Sequence, residues 1–196
     1  MSQSWSALIG INYHKPTNYN KTDSTERRLP SGILLTLNLI IMGLDMYLTK
    51  KTYVKQWDHQ TPEERHEVTV KKGGETHPFI NTDRVSGVVE EVMYWRKANA
   101  IHGWFVDNCQ NGIDDCQMAH VTRAQLIELK ELCEKVVINK TPELLEPREG
   151  FFFGSKTADD YYYSDLAETV KVLEEELQTK EPEDYWGVDY YYQSSW

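Results

Sequence analysis

The sequence predicts an α+β fold: a small sheet formed by strands near the two ends of residues 42–196, covered by about three helices. Three observations point to it. Leu44, Met46 and Leu48 alternate with Asp45, Tyr47 and Thr49, the period of a strand with one buried face. Near the other end, Val-Asp-Tyr-Tyr-Tyr-Gln over 188–193 carries the aromatics that suit a pleated, half-buried surface. Between them, apolar residues recur at helical spacing in three separate stretches.

The first 32 residues are rich in Ser, Thr and Asn and show neither period, so they read as disordered or irregular. A ten-residue apolar run follows over 33–42. It is too short for a membrane helix, which needs about 20 residues. It also lacks the small-residue cleavage site of a signal peptide. Residues 1–41 are therefore expected to be an upstream extension that does not belong to the domain, with a strand at 33–41 as the competing reading. The first strand starts at Leu44 and is expected to reach Val54. Thr61-Pro62-Glu63-Glu64 is a helix start with Pro at the first position, good for a turn or two. Residues 66–71 alternate as a second strand, closed by Gly73-Gly74.

A long helix is expected to open at Thr82-Asp83 and end near Asp107, on the spacing of Val85, Val88, Val89, Val92, Trp95, Ala98, Ile101 and Phe105. Residues 107–116 form a loop around an Asn111-Gly112 turn. Thr122 and Gln125 make a capping box. It starts a helix with Leu126, Leu129, Leu132, Cys133, Val136 and Val137 on one side. Pro142 and Pro147 bracket a connector. The third helix runs from about Asp160 to Leu177, with Leu166, Val170 and Leu173 in register.

Composition limits the function. Of 196 residues, 31 are acidic and 21 basic, a net charge of −10; residues 1–41 carry +2 and the remainder −12. Phosphate neutralisation needs clustered Lys and Arg, so direct nucleic-acid binding is not expected. Cys109, Cys116 and Cys133 are too few and too irregular for a disulfide framework, which points to a reducing cytoplasm.

Read as one helix, Glu91, Trp95, Asn99 and His102 share a stripe flanked by Arg96 and Lys97. Arg96, Asn99 and His102, beside Asp115 of the following loop, could bind an anion or a nucleobase edge; the competing reading is that Trp95 is core and the polar groups serve the fold. Residues 107–118 imitate a calcium loop at Asp107, Asn111, Gly112 and Asp115, but Met118 stands where the bidentate carboxylate is required. The Cys109 and Cys116 spacing matches no zinc pattern. Gly150-Phe-Phe-Phe-Gly-Ser-Lys-Thr157 fails as a phosphate loop, with three residues between the glycines and Ser155 before the lysine. No metal, cofactor or catalytic residue is expected.

Met42-Gly-Leu-Asp-Met-Tyr-Leu48, Tyr94-Trp-Arg-Lys-Ala-Asn-Ala-Ile-His102 with Trp104-Phe105, Gly150-Phe-Phe-Phe-Gly-Ser155 and the closing Tyr-Tyr-Gln-Ser-Ser-Trp196 resemble a family of small bacteriophage and prophage proteins. The resemblance covers Met42 to Trp196, and family members begin at the residue matching Met42. Some members carry the label phosphoglycerate kinase. That enzyme is more than twice this length, and none of its motifs can be placed here. The resemblance implies work inside a host cell, on host or phage components, and assigns no activity.

Two function classes follow. The first is a non-enzymatic binding protein that engages a host, defence or phage protein through an acidic, Tyr- and Trp-rich surface. Tyr161, Tyr162, Tyr185 and Trp186 are its candidate contacts, since these residue types dominate interface hot spots. The second is a small-molecule or nucleotide-binding protein or enzyme built around Arg96, Asn99, His102 and Asp115. Oligomeric state is not legible, and no membrane association is expected.

Overall fold

The computed structural model describes residues 43–150, 154–178 and 187–196. The expectations for residues 1–41 therefore lie outside the described residues. Four strands form one antiparallel sheet: β1 (Asp45–Tyr53), β4 (Gly87–Arg96), β5 (Ala119–Val121) and β6 (Val188–Ser195), in the order β4-β1-β6-β5. The first and last strands of the domain pair along their length, from Asp45 opposite Ser195 to Thr52 opposite Val188. Three helices, α1 (Asn99–Cys109), α2 (Arg123–Asn139) and α3 (Asp160–Gln178), complete the α+β architecture.

The register sorts side chains between two faces. Met46 opposes Trp95 and Ser194, Leu48 opposes Met93 and Tyr192, and Val121 opposes Tyr190. All of these are buried. They form one core with Ile101, Trp104 and Phe105 of α1, Leu126, Leu129 and Cys133 of α2, and Leu166 and Leu173 of α3. The helices thus cover this face of the sheet. Phe105 stacks flat on Tyr192 at 4.0 Å between ring centroids, and Trp95 meets Phe105 edge-on at 5.9 Å. The Trp95 indole N–H donates to Thr169 Oγ1 at 2.8 Å. Trp95 is therefore core, as one of the two sequence readings held.

The long helix expected from Thr82 to Asp107 is instead three pieces: a 3-10 turn (Thr82–Arg84), the ten-residue strand β4, and α1. A β-bulge explains the misreading. Register slips between Leu48 and Thr49, so that Leu48 opposes Met93 while Thr49 opposes Glu91, and Val92 is the extra residue. The extra residue shifts the alternation by one. Two half-strands out of phase place Val85, Val88, Val89, Val92 and Trp95 at spacings that mimic a helix, although β-branched and aromatic residues favour a strand. Lys97, at φ 62°, turns the chain from strand into helix, and its N–H donates to Leu44 O at 2.8 Å.

The strand expected over 66–71 shrinks to a two-residue ladder, β2 (Lys71–Lys72) against β3 (Glu75–Thr76), turning at Gly73 and Gly74 with φ 63° and 90°. Residues 66–70 find no partner strand among the described residues. Instead, residues 67–70 line a cleft of about 630 Å³ with Val54, Gln56 and Val85. The loop expected to start at Asp107 starts after Cys109, because α1 runs two residues further. Asn111 and Gly112 turn it with positive φ, as their types predict. The Thr122 capping box is present, with Gln125 N–H to Thr122 Oγ1 at 3.2 Å and Thr122 N–H to Gln125 Oε1 at 2.8 Å.

Candidate functional site

The four residues grouped by helical spacing do not converge. Arg96 is exposed at the end of β4. Asn99 is buried and its amide donates to Ser155 O at 2.7 Å. His102 is fully buried inside α1. Asp115 is exposed and turned to its own loop, accepting from the Gln117 N–H at 3.1 Å and its amide at 2.5 Å. The acidic neighbour of His102 is Asp114.

His102 lies between Asp114 Oδ2, 2.9 Å from Nε2, and the Tyr192 hydroxyl, 2.7 Å from Nδ1. A carboxylate can only accept, so Nε2 carries a proton and donates to Asp114, while Nδ1 shares its hydrogen bond with the Tyr192 hydroxyl. Burial, then the nearby Asp114 charge, pushes the Tyr192 phenol far above its ordinary range and keeps the hydroxyl protonated. The Trp196 indole N–H donates to the other Asp114 oxygen at 3.2 Å. This chain of bonds ties α1, the loop after it and β6 together. Its order, carboxylate to imidazole to hydroxyl, is that of a proton relay, but His102 and Tyr192 are both sealed from solvent. The geometry suits a structural tie.

The other candidate chemistry disperses too. Asp107 lies on α1 and pairs with Arg148, so the calcium-like spacing has no loop to act in. Burial pushes the Cys109 thiol up to about 11 and the Cys133 thiol up to about 12, away from the reactive thiolate. Among the described residues, no group of three or more His, Cys, Asp or Glu is placed to hold a metal ion.

The expected tyrosine surface needs a correction as well. Tyr161 is exposed, at 82%. Tyr162 is buried, and its hydroxyl donates to Leu145 O at 2.8 Å, so it anchors the connector and cannot meet a partner. Tyr163 is half-buried under the Lys140 ammonium at 3.9 Å. Tyr185 and Trp186 lie outside the described residues. Tyr190 and Tyr192 belong to the core.

A second set of aromatics stands on the sheet face opposite the helices. Asp45, Tyr47, Thr49, Lys51 and Tyr53 form the outward half of β1; Tyr47 opposes Tyr94 and Gln193, and Thr49 opposes Glu91 and Tyr191. The Tyr47 and Tyr94 rings lie 5.2 Å apart. Lys51 sits over the Tyr53 ring at 4.5 Å, and His120 of β5 meets the Tyr191 edge at 5.8 Å. Tyr94 and Tyr53 are exposed, and Tyr47 and Tyr191 are half-buried. Polar partners fix the rings: the Tyr94 hydroxyl donates to Asp45, and Tyr191 donates to Asp189 at 3.3 Å. Burial, then the Asp45 bond, pushes the Tyr94 phenol up to about 12, so it remains a donor. The rim mixes signs, with Asp45, Glu91 and Asp189 against Lys51, Arg96 and His120. Sequence reasoning counted Tyr191, within Tyr190-Tyr-Tyr192, among its interface aromatics but passed over Tyr47, Tyr53 and Tyr94 because they are scattered along the chain. Their signature was the polar half of the β1 alternation.

Among the described residues no helix is long and apolar enough to cross a membrane. Comparison with protein-family models, with curated proteins and with solved structures finds no match to this chain.

Proposed function

We propose that this chain is a non-enzymatic binding protein of phage origin that works in the host cytoplasm and engages a host or phage protein through the open, tyrosine-bearing face of its sheet. One observation carries the reading. A four-stranded sheet buries one face under helices and turns Tyr47, Tyr53, Tyr94 and Tyr191 outward on the other. Tyrosine offers a large, rigid contact area with a polar tip at low entropic cost, which is why it anchors interfaces. Preset rings and a polar rim are the anatomy of such a patch. The net charge of −10 opposes nucleic acid as the ligand, although stacking faces of this kind serve that purpose in basic proteins. The reading built on Arg96, Asn99 and His102 has less support, because Asn99 and His102 spend their polar atoms inside the fold.

The test is capture from host lysate with the full chain and with a triple variant, Tyr47→Ser, Tyr94→Ser and Tyr191→Ser. The reading expects specific proteins retained by the wild type and lost by a variant that still unfolds cooperatively, its melting temperature lowered by about 2–4 °C for each kcal/mol of lost cross-strand pairing. Equal capture by both removes the open face from the function.

A further inference from the structure

Among the described residues β4 is an edge strand. Only β1 pairs with it there, so along ten residues every second N–H and C=O of its outer edge lacks a strand partner among those residues. The other edge, β5, is three residues long and offers little. Beside the free edge, β4 and α3 enclose a cleft of about 280 Å³ lined by Glu90, Glu91, Val92, Val172, Glu175 and Glu176. Its floor is apolar, since Val92 and Val172 are half-buried against the core. Its rim is anionic. Glu176 is committed inward, to Lys50 Nζ at 2.8 Å and the Tyr190 hydroxyl at 2.6 Å. Glu90, Glu91 and Glu175 are exposed and form no ion pair among the described residues.

We propose that the edge of β4 and the cleft beneath α3 form a docking groove for an extended, basic segment of the partner, which adds to the sheet as a fifth strand. Strand addition uses main-chain hydrogen bonds for affinity and alternate side-chain positions for choice of sequence. One row of partner side chains faces the cleft, where small apolar groups rest on Val92 and Val172 and Lys or Arg side chains meet Glu90 and Glu175; Glu91, opposite Thr49, meets the other row. The other row continues the open face beside Tyr94, which belongs to both surfaces. A neutral or acidic strand leaves three carboxylates facing it uncompensated, so charge selects the partner. This inference rests on the binding reading above and names the chemistry of what is bound.

The experiment titrates the isotope-labelled full chain with a peptide of about ten residues alternating Lys and Val, the reach of a typical strand. Two controls accompany it, one alternating Glu and Val, the other the Lys/Val peptide broken by a central Pro. Backbone amide shifts along 87–96 are expected with the intact basic peptide and with neither control. A Glu90→Lys, Glu175→Lys variant is expected to weaken binding by at least about tenfold, or 1.4 kcal/mol. If that variant melts early, Glu90→Gln with Glu175→Gln carries the same expected direction. No binding by the basic peptide, equal binding by the Pro control, or shifts clustered away from β4 overturns the proposal, and the glutamates and bulge then serve only to protect an edge. Loss of capture by the tyrosine variant together with an unused β4 edge rejects the groove and keeps the binding reading. Retained capture with peptide addition at β4 does the reverse.

Discussion

Adjacent residues of β4 allow a sharp test of the two-faced sheet, because Trp95 points into the core and Tyr94 points out of it. Trp95→Ala removes an indole that is only 3% exposed, meets Phe105 edge-on, and donates to the buried Thr169 hydroxyl. Large aromatic-to-alanine changes in cores cost about 3–5 kcal/mol. Because Thr169 still donates to Asp165 O at 2.7 Å, the lost indole bond adds no more than about 1 kcal/mol. Tyr94→Ala removes a ring that is 42% exposed and one exposed hydrogen bond to Asp45. Its expected cost is about 1 kcal/mol, the scale of a cross-strand aromatic pair. Urea denaturation with linear extrapolation reads both variants. For a domain of this size the Trp95 variant should also melt roughly 6–20 °C lower, at about 2–4 °C per kcal/mol. Equal losses for the two variants, or a Trp95 loss below about 1 kcal/mol, would refute the face assignment and with it the open tyrosine surface.

Three further outcomes follow from the same geometry. Tyr192→Phe removes the hydroxyl that bonds His102 Nδ1 at 2.7 Å and should cost about 1 kcal/mol in urea denaturation; an unchanged midpoint would mean this bond ties nothing together. Burial, then Glu168 and Asp159, raises the Asp165 carboxyl to about 7, so the folded chain keeps a proton that the unfolded chain has released. Stability should therefore fall as pH rises from about 4 to 7, and Asp165→Asn should flatten that decline in denaturant midpoints measured across the range. Although burial alone would raise it, hydrogen bonds from Lys50 and Tyr190 hold the Glu176 carboxyl below its ordinary value. That contribution is present above the ordinary carboxylate range and lost as pH falls through it; Lys50→Met should remove part of the acid-side dependence.

The strands at the two ends were legible because each holds its period. Leu44, Met46 and Leu48 face one way without interruption, and the Thr122 capping box and α3 register are local patterns that tertiary packing did not override. β4 was not legible, because one bulged residue at Val92 converts two short alternations into an apparent helical stripe. The candidate site inherited that error: Arg96 flanks the stripe of Trp95, Asn99 and His102 only if the chain through all four is one helix, and Arg96 instead ends β4. The partner of His102 was missed by one position, since loop turns at Asn111, Gly112 and Cys116 decide whether Asp114 or Asp115 faces inward. The open face as a surface was missed for another reason: Tyr47 and Tyr94 are neighbours of each other and of Tyr191 only through pairing that spans most of the chain.

The central claim, that the open sheet face is the contact surface, is tested most directly by hydroxyl-radical footprinting of the tyrosines in the complex with the protein captured from lysate. The account predicts that Tyr47, Tyr53, Tyr94 and Tyr191 lose reactivity on binding while Tyr161, exposed on the first turn of α3, keeps it. Protection of Tyr161 with the four sheet tyrosines unchanged would contradict it.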